Sequence, residues 1–382
     1  MVITPSLRLR APGTESRAPS AVGRATSCWI RPALLLSGAL GCSSATLSTR
    51  YAPLHPANHQ AVTFRVIATD SDGIASIRLH VFEYELLVGA AGAQVARRRA
   101  AGTWGAVRTW SFPSHPGAID ESHTISGGFP AASYIRYLVE VRDTLSGDVS
   151  DSWAFAAGDW PFGNSPIPIW VNGPPGERID IAFVADRTDF VNARDMLPGL
   201  VPLIFDGYHE NAGIRAGRKY WQFYYSPNLG FISDFDTPPR QMDIPPSVVS
   251  AGIIDGATVI HTTVKRDWAA GGNFGTEPQN RGTAVHESAH AVFGLKDEYA
   301  GGGHASSSDP HHNNYDSLGS AQSYNTSNGW AASDAEVIQT SWWRPEPSGL
   351  QCIMLDDGDA SMPEFGRTCL HRALWFYLQL EP

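Results

Sequence analysis

The sequence predicts a two-unit chain: an all-β sandwich followed by an α/β unit that carries a metal-binding helix. Three features predict it. Apolar residues alternate in short, turn-punctuated runs over residues 61–157, a Pro- and Gly-rich stretch occupies 158–176, and beyond it apolar strands alternate with helical patterns around His286-Glu287-Ser-Ala-His290. With 382 residues and 42% hydrophobic content, each unit has enough apolar side chain for a core. The formal net charge of -10 argues against nucleic acid or an anionic membrane surface as the main partner.

Residues 1–42 read as an export signal. Arg31-Pro-Ala-Leu-Leu-Leu-Ser-Gly-Ala-Leu-Gly-Cys42 has a basic residue, an apolar run too short to span a bilayer and a small residue before cysteine. It resembles a bacterial lipoprotein signal, which implies lipidation at Cys42 and an outer-membrane or cell-surface location; ordinary secretion to the periplasm or medium is the alternative. Membrane attachment is then expected through that anchor alone. The Arg-, Ser- and Pro-rich residues before Arg31 are long for a signal's basic region, so translation is expected to start near Val22. Residues 43–60, polar and containing Pro53 and Pro56, read as a tether.

In residues 61–157, Val62, Phe64, Val66 and Ala68 alternate, Asp70-Ser-Asp-Gly73 makes a turn, and Ile77, Leu79 and Val81 alternate again. A Gly/Ala loop with Arg97–Arg99, a strand between Trp104 and Phe112, and a strand through Ile135, Tyr137, Val139 and Val141 follow. Such spacing suggests an immunoglobulin- or fibronectin-like sandwich. Asp70 and Asp72 read as turn residues capping the local backbone; calcium is possible there, but nothing in the pattern supports it. The arginine run reads as a solvated loop.

After the expected linker at 158–176, Ile179, Ile181 and Phe183 predict a buried central strand. A helix is expected over Asp189–Leu197, capped by Thr188 or Asp189 and stopped by Pro198, then strands at Tyr220–Tyr225 and Ala257–Val264. Residues 258–264 are either an edge strand able to pair with an extended peptide or an interior strand, and a glycine-rich loop follows at 268–275.

If 283–293 is a helix, His286 and His290 lie at i and i+4 and can grip one cation. Glu287, one step round, is placed to act as a general base, while Val285, Ala289 and Val292 form the opposing apolar stripe. Gly294 is suited to end the helix. Asp297 or Glu298 then supplies a third zinc ligand and leaves a fourth tetrahedral position open. The polar stretch 301–328, with His304, His311 and His312, reads as a loop at the rim of a cleft, and Leu370–Leu380 as a closing helix. Cys352 and Cys369 are expected to form a disulfide worth about 3 kcal/mol on the chain-entropy model. The rivals are a free pair of thiols and a second zinc site, and no CxxC spacing supports the zinc.

His286-Glu287-x-x-His290 followed by Gly294-Leu295-x-Asp297-Glu298-Tyr299 resembles the HExxHxxxxLxDEY signature of the bacterial IgA-peptidase family of zinc metallopeptidases. Arg178–Asp186 is similar to the strand that opens that family's catalytic domain, and Cys352-Ile-Met354 with Cys369 to its closing segment. The likeness covers about residues 175–382 and is weak in the middle. It implies a zincin-like, metzincin-type α/β domain over 177–382, an exported zinc endopeptidase acting on a protein or peptide substrate, His286 and His290 as ligands and Glu287 as base. A second bacterial metallopeptidase family with HExxHxxGLxDEY implies Asp297 as third ligand; the spacer here is one residue longer, which keeps Glu298 as the alternative. Tyr299 is a candidate to assist the oxyanion. By likeness to the metzincin methionine turn, Met354 is a candidate hydrophobic floor, with Met362 its competitor and core packing the plain reading of both. Two other functions fit the same residues: a non-catalytic surface-binding lipoprotein with a structural zinc, and a cell-wall peptide amidase. No residue identifies immunoglobulin A as the target.

Overall fold

Alternating apolar side chains fold, in the computed structural model, into two antiparallel sheets packed face to face. The structure describes residues 45–88, 94–98, 106–129, 133–143, 148–173, 177–298, 312–339, 342–346, 352–355 and 364–380. One sheet joins β1 (Thr46–Ala52), β2 (Val62–Thr69) and β6 (Ala118–Ile125) in that order. The other contains β3 (Ile74–Val88), β4 (Gln94–Arg98), β5 (Ala106–Ser111), β7 (Ser133–Asp143) and β8 (Val149–Ala157), in order β4-β3-β7-β8 with β5 also on β3. Inward residues are those the period of two picks out, Val62, Phe64, Val66 and Ala68 on β2 and Ile135, Tyr137, Val139 and Val141 on β7. The sheets meet where the Phe64 and Tyr137 rings stand 5.2 Å apart.

Two expectations change here. The supposed tether supplies β1, paired along its length with β2, because Tyr51 and Leu54 bury fully in the sandwich. The supposed linker carries β9 (Ile167–Trp170), whose four residues are all buried. Proline and glycine density correctly marks its flanks but hides the apolar run between them.

The second unit is built on a six-stranded sheet, order β15-β16-β14-β10-β11-β9, from β9, β10 (Ile179–Ala185), β11 (Trp221–Tyr225), β14 (Gly256–Ile260), β15 (Ala269–Ala270) and β16 (Asn273–Thr276). Its four inner strands are parallel, and both edge strands are antiparallel to their neighbours. All seven residues of β10 are buried, as expected for a strand covered on both faces. Two small hairpins, β12 (Phe231–Ile232) with β13 (Met242–Asp243) and β17 (Glu336–Gln339) with β18 (Trp342–Arg344), lie off this sheet. The helices are α1 (Leu197–Pro202), α2 (Ala212–Ala216), α3 (Pro246–Val249), α4 (Arg281–Ser288), α5 (Leu318–Ser327) and α6 (Arg367–Gln379). Among the described residues no helix is long and apolar enough to cross a membrane.

The helix expected at 189–197 is instead a short 3-10 turn, Ala193–Met196, capped by Asn192 and followed by α1. Pro198 sits in the first turn of α1, where its missing N–H costs nothing, so the proline opens a helix rather than ending one. Asp189 caps a different segment, accepting the backbone N–H groups of Thr262 and Thr263 at 2.6 and 2.8 Å. Within the stretch expected to be a loop, Leu318–Ser327 forms α5, with Ser317 as its cap.

The two units share one core. Trp170 of β9 stacks on Trp153 of β8 at 4.4 Å, lies 6.0 Å over Tyr51 of β1, and meets Phe205 of the second unit edge-on at 4.8 Å. Ala154 and Val171 exchange both backbone hydrogen bonds, at 2.7 and 3.0 Å, and Asp151 pairs with Arg218 beside them. Trp170→Ala is therefore expected to destabilise the whole chain by about 3–5 kcal/mol, and Val191→Ala, at an 87% exposed site, by under about 0.5 kcal/mol. Urea denaturation followed by tryptophan fluorescence checks both; a Trp170→Ala transition that splits in two with the second unit unaffected would contradict a shared core.

Candidate metal centre

The helix bearing the two histidines begins where β16 ends. Asn280 caps α4, its side-chain oxygen accepting the Thr283 N–H at 3.4 Å, and every residue from Gly282 to Ser288 is buried. The helix then widens into a π turn, Ala289–Phe293, and stops at Gly294, whose φ of 66° and ψ of 21° are left-handed. That reversal returns Leu295 and Asp297 to the histidine face.

Three ligand atoms converge there. His290 Nε2 lies 3.1 Å from His286 Nε2 and 3.1 Å from Asp297 Oδ1, and His286 Nε2 lies 3.2 Å from the same oxygen. Tetrahedral ligands at 2.0–2.1 Å from one ion stand about 3.3 Å apart, so the triangle matches one face of a tetrahedron. The other ring nitrogens are committed: His286 Nδ1 donates to the Ile353 carbonyl at 2.8 Å and His290 Nδ1 to the Leu295 carbonyl at 2.7 Å. Both Nε2 atoms are thereby turned toward Asp297. Without a cation, a single proton on either Nε2 cannot serve all three contacts. Burial works against a charged His286, yet the Asp297 contact, the Glu287 charge and the Ile353 carbonyl together hold it up to about 9. Asp297 is likewise held well below the usual carboxylate range by the two imidazoles, against the effect of its burial. The site favours positive charge, and these residues fit a metal ion.

The adjacent carboxylates part company. Glu298 is 2% exposed and turns inward, accepting from Asn313 Nδ2 at 3.0 Å, Cys369 Sγ at 3.1 Å and Arg344 Nη1 at 3.4 Å. It is occupied by the core, so Asp297 and not Glu298 stands with the imidazoles. Asn313 and Asn314 fix this choice by gripping the backbone: Asn313 accepts the Lys296 N–H at 3.0 Å and donates to the Lys296 carbonyl at 2.7 Å, and Asn314 donates to the Asp297 carbonyl at 2.6 Å. Neither asparagine announces this in the sequence, where both lie in a run of polar residues. Met354 is fully buried, and its carbonyl accepts the Glu298 N–H at 2.7 Å, which ties it to the segment that follows the histidine helix. Cys352 and Cys369 do meet, but as two buried thiols with sulfurs 3.2 Å apart rather than as the expected disulfide. Burial pushes both thiols up. Tyr299, His304, His311, Met362 and Cys42 lie outside the described residues.

Glu287, 8% exposed, lines with His286, His290 and Asp297 a cleft of about 800 Å³ whose opposite wall is the Trp268–Gly272 hairpin. The edge of the sheet on this side is β15, turned at Gly271 and Gly272 with φ of 60° and 84°. Strand β14, covering the start of the 258–264 segment, is interior, bonded to β10 and β16 on its two sides, so the edge role falls to the glycine-rich segment instead. The sequence does not single out His261. It is fully buried and donates from Nε2 to Asp267 at 2.7 Å and from Nδ1 to the Thr263 carbonyl at 2.9 Å, tying the cleft wall to the end of β14. Burial pushes Asp267 up to about 7 despite that partner.

No protein-family model matches the chain, and no curated protein matches it. Solved structures resemble it only in part. The sporulation control protein Spo0M of Bacillus subtilis is 14% identical, covering 31% of this chain and 50% of its own with a TM-score of 0.21. The putative ApaA protein of Bordetella pertussis is 13% identical over 30% of this chain and 92% of its own, with a TM-score of 0.17. A beta-glucosidase of Listeria innocua is 9% identical over 30% of this chain and 16% of its own, with a TM-score of 0.18. The chain thus spans half the length of Spo0M, and likenesses this slight bear on neither family nor activity. The architecture stands as a β-rich chain of more than one unit, with a site able to hold a metal ion.

Proposed function

We propose that the chain is an exported zinc-dependent endopeptidase of the bacterial IgA-peptidase kind, with an immunoglobulin-like N-terminal unit and a zincin-like second unit. The observation that carries this reading is a three-atom ligand face, two imidazoles from the helix and Asp297 from the turn after it, beside a buried carboxylate, Glu287, in the same cleft. A purely structural site has no use for that carboxylate. Two imidazoles and one carboxylate are a zinc donor set. Zinc, when bound, supplies a Lewis acid that polarises a carbonyl and makes water acidic near neutral pH. Glu287 accepts the proton of the attacking water and delivers it to the leaving amine. The open main chain of β15 pairs with an extended peptide across the cleft, binding backbone rather than side chains. Ile353 and Leu295 keep the imidazoles oriented throughout.

Glu287→Gln is expected to retain fold and one bound zinc while hydrolysis falls by about 10²–10⁴-fold. Casein, immunoglobulin and peptidoglycan fragments assayed side by side read this out, and they separate a proteinase from a cell-wall amidase. Undiminished cleavage by the variant would remove the proposed base.

The two neighbouring acids are expected to respond differently. Asp297→Ala weakens zinc by more than the roughly 100-fold that loss of an outer hydrogen-bond partner costs. Glu298→Ala keeps its zinc but loses about 3 kcal/mol of stability, since it strips a buried charge partner from Arg344. Chelator competition and urea denaturation on both proteins test the assignment, which is reversed if Glu298→Ala is the variant that loses metal.

Zinc affinity is also expected to depend on pH. A raised His286 is protonated below about 9, so binding must displace that proton, and affinity rises by about tenfold per pH unit from 6 to 8 before levelling near 9. Competition titrations at three pH values suffice; a flat profile would mean that no ligand proton is released.

A further inference from the structure

A second cluster, far from the histidine helix in sequence, lies at one end of the N-terminal sandwich. Asp70 Oδ1 accepts the Asp72 backbone N–H at 2.6 Å, which is the turn-capping role expected of Asp-Ser-Asp-Gly. Its other oxygen is not explained by capping. Asp70 is 5% exposed, and Oδ2 is shut off from water with no hydrogen-bond donor among the described residues. An anionic oxygen buried in that way is costly unless a cation meets it. Among the described residues no Lys, Arg or His forms an ion pair with Asp70.

Strand pairing brings in a third acid that the local sequence does not show. Ile74, just past the turn, is in register with Asp143 at the end of β7. Asp143 is 8% exposed, and Asp70, Asp72 and Asp143 each place an oxygen within 4.8 Å of the other two. Two ligands on one Ca²⁺ at 2.3–2.6 Å can be no more than about 5 Å apart, so all three can reach one ion. Oxygen-only donors select a hard cation over zinc. Asp72, which is exposed, leaves one side open for the waters that complete a calcium shell.

The cradle is held from outside. The Asp70 N–H donates to the Gly117 carbonyl at 2.8 Å and the Ile74 N–H to the Pro116 carbonyl at 3.0 Å, clamping both ends of the turn. Gly73 has φ of 95°, and a Cβ there would fall 2.4 Å from the His115 carbonyl oxygen, so the turn cannot relax away. We infer that Asp70, Asp72 and Asp143 bind one Ca²⁺ at this end of the sandwich, independently of the metal centre on the histidine helix.

The test uses the full chain saturated with zinc, so that calcium cannot occupy the histidine site. Calorimetric titration with CaCl₂ is expected to show one saturable site with Kd of about 10⁻⁴–10⁻³ M, the range of extracellular modules, and the melting temperature is expected to rise with calcium to a plateau. Asp70→Asn and Asp143→Asn each weaken binding at least tenfold and remove the thermal shift. The amide oxygen that Asp70→Asn introduces still caps the turn, so in calcium-free buffer this variant melts no lower than the parent protein. The inference is overturned by the absence of saturable binding, by undiminished binding in both variants, by equal binding of Mg²⁺, or by an Asp70→Asn protein equally destabilised with and without calcium.

Discussion

Two main-chain carbonyls decide what the histidine helix can do. An HExxH spacing puts two imidazoles on one face, but each ring can still present either nitrogen and rotate about its own bonds. The Ile353 and Leu295 carbonyls remove that freedom by taking the two Nδ1 protons. Leu295 is local, delivered by the left-handed turn at Gly294. Ile353 comes from far along the chain and is held in place in turn, its own N–H donating to the Glu364 carbonyl at 3.0 Å while Met354 accepts the Glu298 N–H. The ligand triangle is therefore a tertiary feature, formed only once the closing segment has docked beneath the helix.

The same docking sorts two chemically similar acids. Asp297 and Glu298 are neighbours, so an extended backbone turns one toward the cleft and the other toward the core. Which goes where is settled by what waits on the inner side. Arg344 brings a cation into a nearly closed environment and is satisfied there by Glu298 together with Glu336, 2.6 Å from Nη2. Turning Glu298 outward would leave that guanidinium short of an anion, a penalty larger than any gain from a second cleft carboxylate. Glu346, buried near Glu298, is pushed up to about 7 by burial first and by the Glu298 charge second.

What is legible in the sequence is what depends on near neighbours. Period-two alternation locates β2 and β7, the i, i+4 histidines locate the helix that brings them onto one face, and Gly294 locates its end. Features set by distant partners are not legible. Asp297 cannot be separated from Glu298 without Arg344, Asn313 and Asn314. The buried β9 is masked by flanking prolines and glycines, and Pro198 reads as a stop because its place within the first turn of a helix depends on where that helix starts. The interior position of β14 follows only from the sheet order. Asp143 joins Asp70 through a strand register, and no local pattern encodes a register between strands that are not consecutive.

The cleft lies outside the carboxyl ends of the inner parallel strands, where open sheets of this kind carry their crevices. Strand β14 runs out into His261, β16 into Glu277, and β10 into Asp186. Each of these residues is buried and polar. Asp186 is answered by Lys265, 2.6 Å from its carboxylate, whose ammonium also donates to the Ile232 carbonyl at 3.0 Å. His261 is answered by Asp267 from the same loop. The loop after β14 is thus pinned twice, by the Lys265–Asp186 ion pair and by the His261–Asp267 hydrogen bond, and the hairpin that follows it lines the cleft. At the opposite edge of the sheet, β9 is locked into the aromatic core of the N-terminal unit, so that edge is closed by packing. Among the described residues β15 forms the other edge of the sheet, bonded only to β16, and it lines the same cleft as Glu287.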